Sequence, residues 1–424
     1  MRGLYLSHAA LTSAVCPVAH LFYWYLRNRG KSGEIPAFRR TFGCAVHESL
    51  CMRNAPFLIA AIATLTSPMA QASEFGLPES AFGNGWRFAP YGRFNLAYQS
   101  FDDGQTTTAN IVDMSTSTSR VGFYLKQNGA SQGLSFQFET GLALSPSKSF
   151  SQINTPDFFG WDKTALRQVQ LIYEADWGKL RLGQGSMATD SIAELDLAKT
   201  TVVAKSNIDE MGGSYIFRTT GVALSTVTLR DSFDSFDGDR QFRLRYDTPD
   251  LNGFSLAMAY GIEVLKDGVD DTYYDIALRY KQDFGALRVQ AGIGNNYVDV
   301  SGGGTKYTTA GSLAVLDTNT GLNLTVASGR DGRGTNASYV WVKGGWNASF
   351  SQLGTTRFYA ETHQGSDYVT KGAESRMWGL GVMQRIERVN LDLFAGYRRF
   401  SYSDGTPTTY RDADIVQIGA HITF

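Results

Sequence analysis

From Tyr91 to the last residue, Phe424, apolar and polar side chains alternate one by one in segments of about ten residues. That alternation limits the possible folds more than any other feature. A period of two places successive side chains on opposite faces of an extended strand, whereas a helix would repeat its apolar positions every three to four residues. Phe94, Leu96 and Tyr98 share one face, with Arg93 and Asn95 on the other. Val121, Phe123 and Leu125 alternate with Arg120 and Lys126, and Phe242, Leu244 and Tyr246 with Arg243, Arg245 and Asp247. The pattern still holds at Val416, Ile418, Ala420 and Ile422. Two places break it. Arg167 falls on the apolar face of Val169, Leu171 and Tyr173 unless a bulge shifts the register. Around 338–346 both faces are mixed.

Strands are expected at 91–100, 118–127, 133–144, 165–176, 179–186, 240–248, 253–263, 273–282, 286–296, 307–316, 321–329, 337–347, 355–364, 375–386, 390–400 and 413–424. That is about sixteen, and an even number suits a closed antiparallel barrel. Tight links such as Asp250-Leu251-Asn252-Gly253 and Asp283-Phe284-Gly285 alternate with longer polar ones at 101–117, 145–164 and 263–272. Residues 215–230 could add two strands and make eighteen. A soluble sandwich also alternates, so the choice of a membrane barrel rests on further signs. The polar face carries Arg93, Arg120, Arg243, Arg245, Arg279 and Arg288, which suits a water-filled interior. The apolar face often ends in tyrosine, at Tyr98, Tyr246, Tyr260, Tyr280 and Tyr397, as an interfacial girdle requires. No stretch of the mature chain has the 18 or more consecutive apolar residues of a spanning helix. The expected fold class is therefore all-β, a transmembrane antiparallel β-barrel in the bacterial outer membrane.

Composition agrees. The 45 Gly against 10 Pro argue against disorder, and 21 Tyr with 26 Phe favour strands. A net charge of -1 leaves no basic footprint for nucleic acid. Residues 52–72 have the layout of an export signal: Arg53, an apolar run from Phe57 to Leu65, then the small-residue cleavage site Ala70-Gln71-Ala72. Residues 1–51 precede it, carry Arg2, Arg27, Arg29, Lys31, Arg39 and Arg40 against only Glu34 and Glu48, and contain all three cysteines, Cys16, Cys44 and Cys51. They are read as an upstream artefact or an extension, which leaves 73–424 as the barrel domain with no disulfide framework.

Several stretches resemble the general bacterial porins, the trimeric sixteen-stranded family. They are Ser119-Arg120-Val121-Gly122-Phe123, Trp177-Gly178-Lys179-Leu180-Arg181-Leu182-Gly183-Gln184, the hairpin Arg245-Tyr246-Asp247-Thr248-Pro249 with Gly253-Phe254-Ser255, and the terminal Phe424. Trp177 stands where that family has Phe. Gln184 stands where it has Arg, which puts the charge pattern of a pore in question. The resemblance implies passive diffusion of ions and small hydrophilic solutes, a homotrimer in outer-membrane lipid, and a third external loop folded into the lumen. A substrate-specific channel and a structural or adhesive barrel with a closed lumen are the alternatives.

The link at 187–239 is the longest, and loops of that length are often functional. Its carboxylates Asp190, Glu194, Asp196, Asp209 and Glu210 would face a basic wall of Arg93, Arg120, Arg181, Arg243 and Arg245, and such opposed charges set pore selectivity. Asp234 and Asp237 read as solvated loop charges. Catalysis finds little support: the mature chain holds only His363 and His421, and no Walker A, HExxH or CxxC motif. Asp267-Gly268-Val269-Asp270-Asp271 offers oxygen ligands for Ca²⁺ without the full EF-hand spacing, so no cofactor is expected.

Overall fold

The computed structural model describes residues 77–424, apart from 84, 128–132 and 333. The expected export signal and the 51 residues before it lie outside the described residues. The described chain runs through β1 (Ser80–Phe82), β2 (Trp86–Asp102), β3 (Thr107–Asp113), β4 (Arg120–Gln127), β5 (Gly133–Gly141), β6 (Leu166–Ala175) and β7 (Gly178–Ser186). A small hairpin, β8 (Ile216–Arg218) and β9 (Leu224–Thr228), and a single helical turn, α1 (Leu229–Ser232), follow. Then come β10 (Arg240–Asp247), β11 (Phe254–Ile262), β12 (Thr272–Phe284), β13 (Leu287–Asp299), β14 (Thr305–Asp317) and β15 (Leu322–Asp331). The chain ends with β16 (Ser338–Ser351), β17 (Gly354–Ser366), β18 (Glu374–Ile386), β19 (Leu391–Ser403) and β20 (Ala413–Thr423).

Each wall strand pairs antiparallel with its neighbours, and β2 pairs with β20 from Arg93↔Thr423 to Asp102↔Asp414, which closes the ring. β3 and β4 are one wall strand interrupted by the turn at Ser115–Ser117, since both lie along β2. With β1 a short flap on β2 and β8–β9 a separate sheet, the wall has sixteen staves. The possible extra strands at 215–230 therefore do not enter the wall. Closure leaves no unpaired edge, the condition for strands to cross a bilayer. The expected polar link at 101–117 is shorter than the sequence suggests, because Thr107–Asp113 folds back onto β2 and only 103–106 remains as the turn.

The outward set is apolar along most of the wall. Leu244, Met258, Ile276, Leu278, Ile293, Leu313 and Leu324 are all exposed. Aromatic side chains gather at both rims. Tyr260, Tyr274 and Tyr297 adjoin one another at the end with the long links. Tyr173, Trp177 and Tyr246, then Phe254 with Tyr280, and Trp346 with Phe358 mark the end with the short turns. Such paired girdles sit at the two membrane interfaces. The short-turn end is tightly built: at the β10–β11 turn Asn252 (φ 56°) and Gly253 (φ 89°) both take left-handed backbone, and Asp250 Oδ1 accepts from Gly253 N at 2.9 Å.

Candidate functional site

The inward positions of β2, β4, β5 and β6 carry polar side chains that bond to one another across the strands. Arg93 Nη1 donates to Ser117 Oγ at 2.7 Å. Arg120 and Arg167 both reach Glu139, at 3.4 Å and 2.8 Å. Tyr91 donates its hydroxyl to the other oxygen of Glu139 at 3.0 Å, and Gln137 Nε2 donates to the Tyr91 hydroxyl at 2.8 Å. Arg167 is there because of a bulge: Glu139 pairs with Gln168 but Thr140 pairs with Leu166, so the extra residue turns Arg167 from the apolar face toward Glu139. Three arginines around one carboxylate leave this wall positive.

The 187–239 link touches inward side chains from β12 round to β20. Asp275 Oδ2 accepts from Thr189 N and Oγ1, both at 2.7 Å. Ser312 Oγ donates to Ile192 O at 2.7 Å. Lys343 Nζ lies 3.1 Å from Asp196 and donates to Thr200 Oγ1 at 2.7 Å and to Ala204 O at 3.1 Å. Arg398 donates to Val203 O and pairs with Glu361 at 2.8 Å. Gln417 Nε2 donates to Met211 O at 3.1 Å. The approach is close enough at Gly292 that a Cβ there would come within 2.6 Å of Ile192 Cδ1. Further along, β8–β9 and α1 seal an apolar core against the wall, with Phe101 stacked on Tyr215 at 4.0 Å and Phe233 edge-on to Phe400 at 5.5 Å. Thr228 and Asp231 form a reciprocal cap at the start of α1.

The link carries a row of charges bonded to one another and to neighbouring basic residues. Lys205 lies between Glu194 at 3.0 Å and Glu210 at 2.6 Å, and Lys148 is 3.9 Å from Glu210. Asp190 is 3.6 Å from Arg240 at the start of β10. Burial pushes Asp190 up, but Arg240, the Ser186 hydroxyl and Arg167 outweigh it and hold the carboxyl below its usual range. Glu210 is likewise held low against burial by Lys205 and Lys148. Glu194 is raised by burial, which Lys205 offsets only in part. Asp209 is pushed up to about 7, by burial first and then by Glu210 and Asp234. Lys205 is raised, because the two glutamates outweigh the effect of burial.

The expected site residues divide into groups. Arg93 and Arg120 stand together on the wall, and Asp190, Glu194, Asp209 and Glu210 along the link. Asp196 is buried under Lys343, which with two backbone bonds holds it below the usual range despite burial. Arg243 is 1% exposed, and its guanidinium goes to Ser186 O, Gly183 O and Gln170 Oε1. Arg181 and Arg245 both pair with Asp247, at 3.1 Å and 2.5 Å. Two expectations need correction. Gln184 pairs with Val169 and Phe242 on the outward set, so glutamine there takes no charge from the lumen. Asp237 is not a solvated charge, since its oxygens accept from Ser191 N at 2.7 Å and Ala193 N at 2.8 Å, which ties the two ends of the link together. Asp234 is exposed, and its Oδ1 accepts from Phe236 N at 2.9 Å.

Arg167, Glu139, Lys205, Lys343 and Arg398 were not among the expected site residues. Only Arg167 left a signal in the sequence, as a charge on the wrong face of its strand. Among the described residues no group of three or more His, Cys, Asp or Glu could hold a metal ion. His363 is fully buried, stacked on Tyr339 at 5.1 Å and edge-on to Phe233, so it serves as an aromatic filler.

A closed sixteen-stave barrel, apolar outside and charged within, is a channel across the bacterial outer membrane. The chain belongs to the Gram-negative porin family, whose sequence profile matches residues 58–405. It is a non-enzymatic channel for small solutes. No curated protein sequence matches the chain. Solved structures share the fold. The anion-selective porin of Comamonas acidovorans matches with a TM-score of 0.52 at 13% identity, covering 80% of this chain and 100% of that one. The in-vitro folded OmpT of Vibrio cholerae in its trimer form gives 0.51 at 15%, covering 80% and 100%. The outer membrane channel DcaP of Acinetobacter baumannii gives 0.52 at 11%, covering 82% and 100%.

Proposed function

We propose that the 187–239 link sets the narrowest part of the channel, and that solutes pass between its charged edge and the wall that carries Arg93, Arg120 and Arg167. The observation that carries this reading is the uneven attachment of the link. Most of its bonds to the wall go to β12, β14, β16, β19 and β20, with others to Arg240 and Arg245 of β10 and to Thr116 in the β3–β4 turn, while the polar side chains of β4, β5 and β6 bond to one another and, among the described residues, to no part of the link. Charges fixed on both sides of a narrow passage act on ions more strongly than charges at an open mouth, because screening is weaker there.

Anions are the preferred ions. Arg93, Arg120, Arg167, Arg240, Lys148 and Lys205 border the passage against Glu139, Asp190, Glu194 and Glu210, and Asp209 is partly neutral near pH 7. Anion selectivity is the property named for the Comamonas acidovorans protein. The protein assembles as a homotrimer, a form described for OmpT of Vibrio cholerae. Residues 52–72 direct export, and the mature chain starts at Ser73.

Cysteine scanning tests the passage. The barrel domain has no cysteine of its own. Cysteine at Arg120 or Glu210, treated with a membrane-impermeant thiol reagent, should cut single-channel conductance. Cysteine at Ala310 or Ala327, which the link covers, should not react. Block from the covered positions alone would put the passage on the other side of the link.

A further inference from the structure

The outer wall between β13 and β16 has a groove of about 1010 Å³, at the upper end of the ~300–1,000 Å³ usual for ligand pockets. It lies on the lipid-facing side: Ile293 and Leu313 line it and are exposed, while Ala310 and Ser312 beneath it point inward. The groove exists because the outward positions here are small. Paired residues step down from the rim with the long links in the order Thr309↔Arg330, Gly311↔Ser328, Leu313↔Val326. The rim end is polar. Asn295 Nδ2 donates to the Tyr307 hydroxyl at 2.8 Å and to Thr309 Oγ1 at 2.6 Å, so the hydroxyls stand on a fixed frame. The deeper end is apolar. Arg330 is exposed on this outer face, and among the described residues no carboxylate lies within ion-pair distance of its guanidinium. An unpaired cation next to hydrocarbon is costly unless an anion or water meets it.

We propose that this groove binds a phosphate-bearing lipid of the outer leaflet, with its phosphate on Arg330 and an acyl chain over Gly311 between Ile293, Leu313 and Val326. The order of the wall matches the order of such a molecule. The long links mark the external side of outer-membrane barrels, so Arg330 stands at headgroup level and Leu313 at chain level. Guanidinium binds phosphate through paired N–H donors, and the neighbouring hydroxyls supply further partners. A neutral amphiphile would use the apolar floor but leave Arg330 unpaired. The site is independent of the passage inside the barrel, since none of these side chains faces the lumen.

Native mass spectrometry of the detergent-purified oligomer tests the site with dimyristoyl phosphatidic acid, dimyristoyl phosphatidylcholine and inorganic phosphate. Phosphatidic acid should survive collisional activation that strips phosphatidylcholine. R330Q should cut its retention about fivefold, the effect of losing one partly exposed ion pair, and R330K should restore part of it. S328W, which fills the groove, should remove both lipids while conductance and heat resistance stay as in the parent. Equal retention of phosphatidic acid by R330Q and the parent would overturn the proposal. Equal displacement by inorganic phosphate would overturn it in favour of a free-anion site. Loss of the oligomer in S328W would overturn it in favour of a second copy of the chain as the occupant.

Discussion

On the side of the barrel formed by β4, β5, β6 and β7, inward positions carry Tyr124, Gln137, Glu139, Gln170 and Arg181. On the side formed by β15 to β19 they carry Ala327, Tyr339, Trp341, Tyr359, Met377 and Phe400. The two sides share one backbone geometry and one period of alternation. They differ in what lies across from them. The first faces water, so its side chains are polar and bond to one another. The second faces the 187–239 link, so its side chains join an apolar core closed by Tyr215, Phe217 and Phe233. The barrel interior is thus more apolar where the link packs on it, and two of the charges on that side, Lys343 and Arg398, find partners in the link.

The largest expected effect comes from breaking the packed side. Lys343→Met would leave Asp196 buried without its cation, at a cost of about 3–5 kcal/mol. Thermal unfolding in detergent should show the loss, and single-channel records should show larger and less steady conductance as the link loosens. A matched change on the open side, Gln137→Ala, should leave the conductance steady. If both variants behaved alike, the difference between the two sides would carry no energetic meaning.

The outer face sharpens the contrast. Leu324 is exposed on the lipid side of β15, and Leu324→Arg should cost about 2–4 kcal/mol if it lies at the midplane. Unchanged heat stability would contradict the assigned face.

Titration gives a smaller effect. Asp209 is pushed up to about 7, so its carboxylate is charged above that pH and neutral below it. Lowering the pH from about 8 to about 6 should therefore move selectivity further toward anions. Asp209→Asn should abolish most of that response in reversal-potential measurements. The smallest effect is expected at Asp234, which is exposed and accepts a single backbone N–H, from Phe236, that an Asn oxygen can also take: Asp234→Asn should change stability by no more than about 0.5 kcal/mol. Asp237→Asn should cost more, because Asp237 accepts two backbone N–H groups. Equal unfolding temperatures for these two variants would remove that distinction.

Much of the wall was legible in the sequence because alternation reports directly on which face a residue takes. All sixteen expected ranges overlap a wall strand, most to within a few residues at each end. The mixed faces at 338–346 have a physical reason: Tyr339 and Trp341 point inward into the core made by the link, while Val340 points to lipid. The site was less legible, because its charges are sorted by tertiary contacts that local pattern does not encode. Arg243 and Asp196 have the same chemistry as Arg93 and Glu210. The contacts made by Gln170 and Lys343 distinguish a buried strut from a group on the proposed passage. Arg167 showed in the sequence as a charge on the apolar face, and the one-residue bulge that explains it reverses the face that parity assigns, but its partner Glu139 left no such sign.

The central claim is that ions pass between the arginine-bearing wall and the acidic edge of the link, and reversal potential across a salt gradient tests it most directly. Changing Arg93 and Arg120 together to Gln should move selectivity toward cations. Changing Glu194 and Glu210 together to Gln should move it toward anions. Changing Arg181 and Arg245, both already paired with Asp247, should do less than either. Opposite shifts in the first two variants, each larger than the third, are the predicted result; equal small shifts in all three would contradict the account.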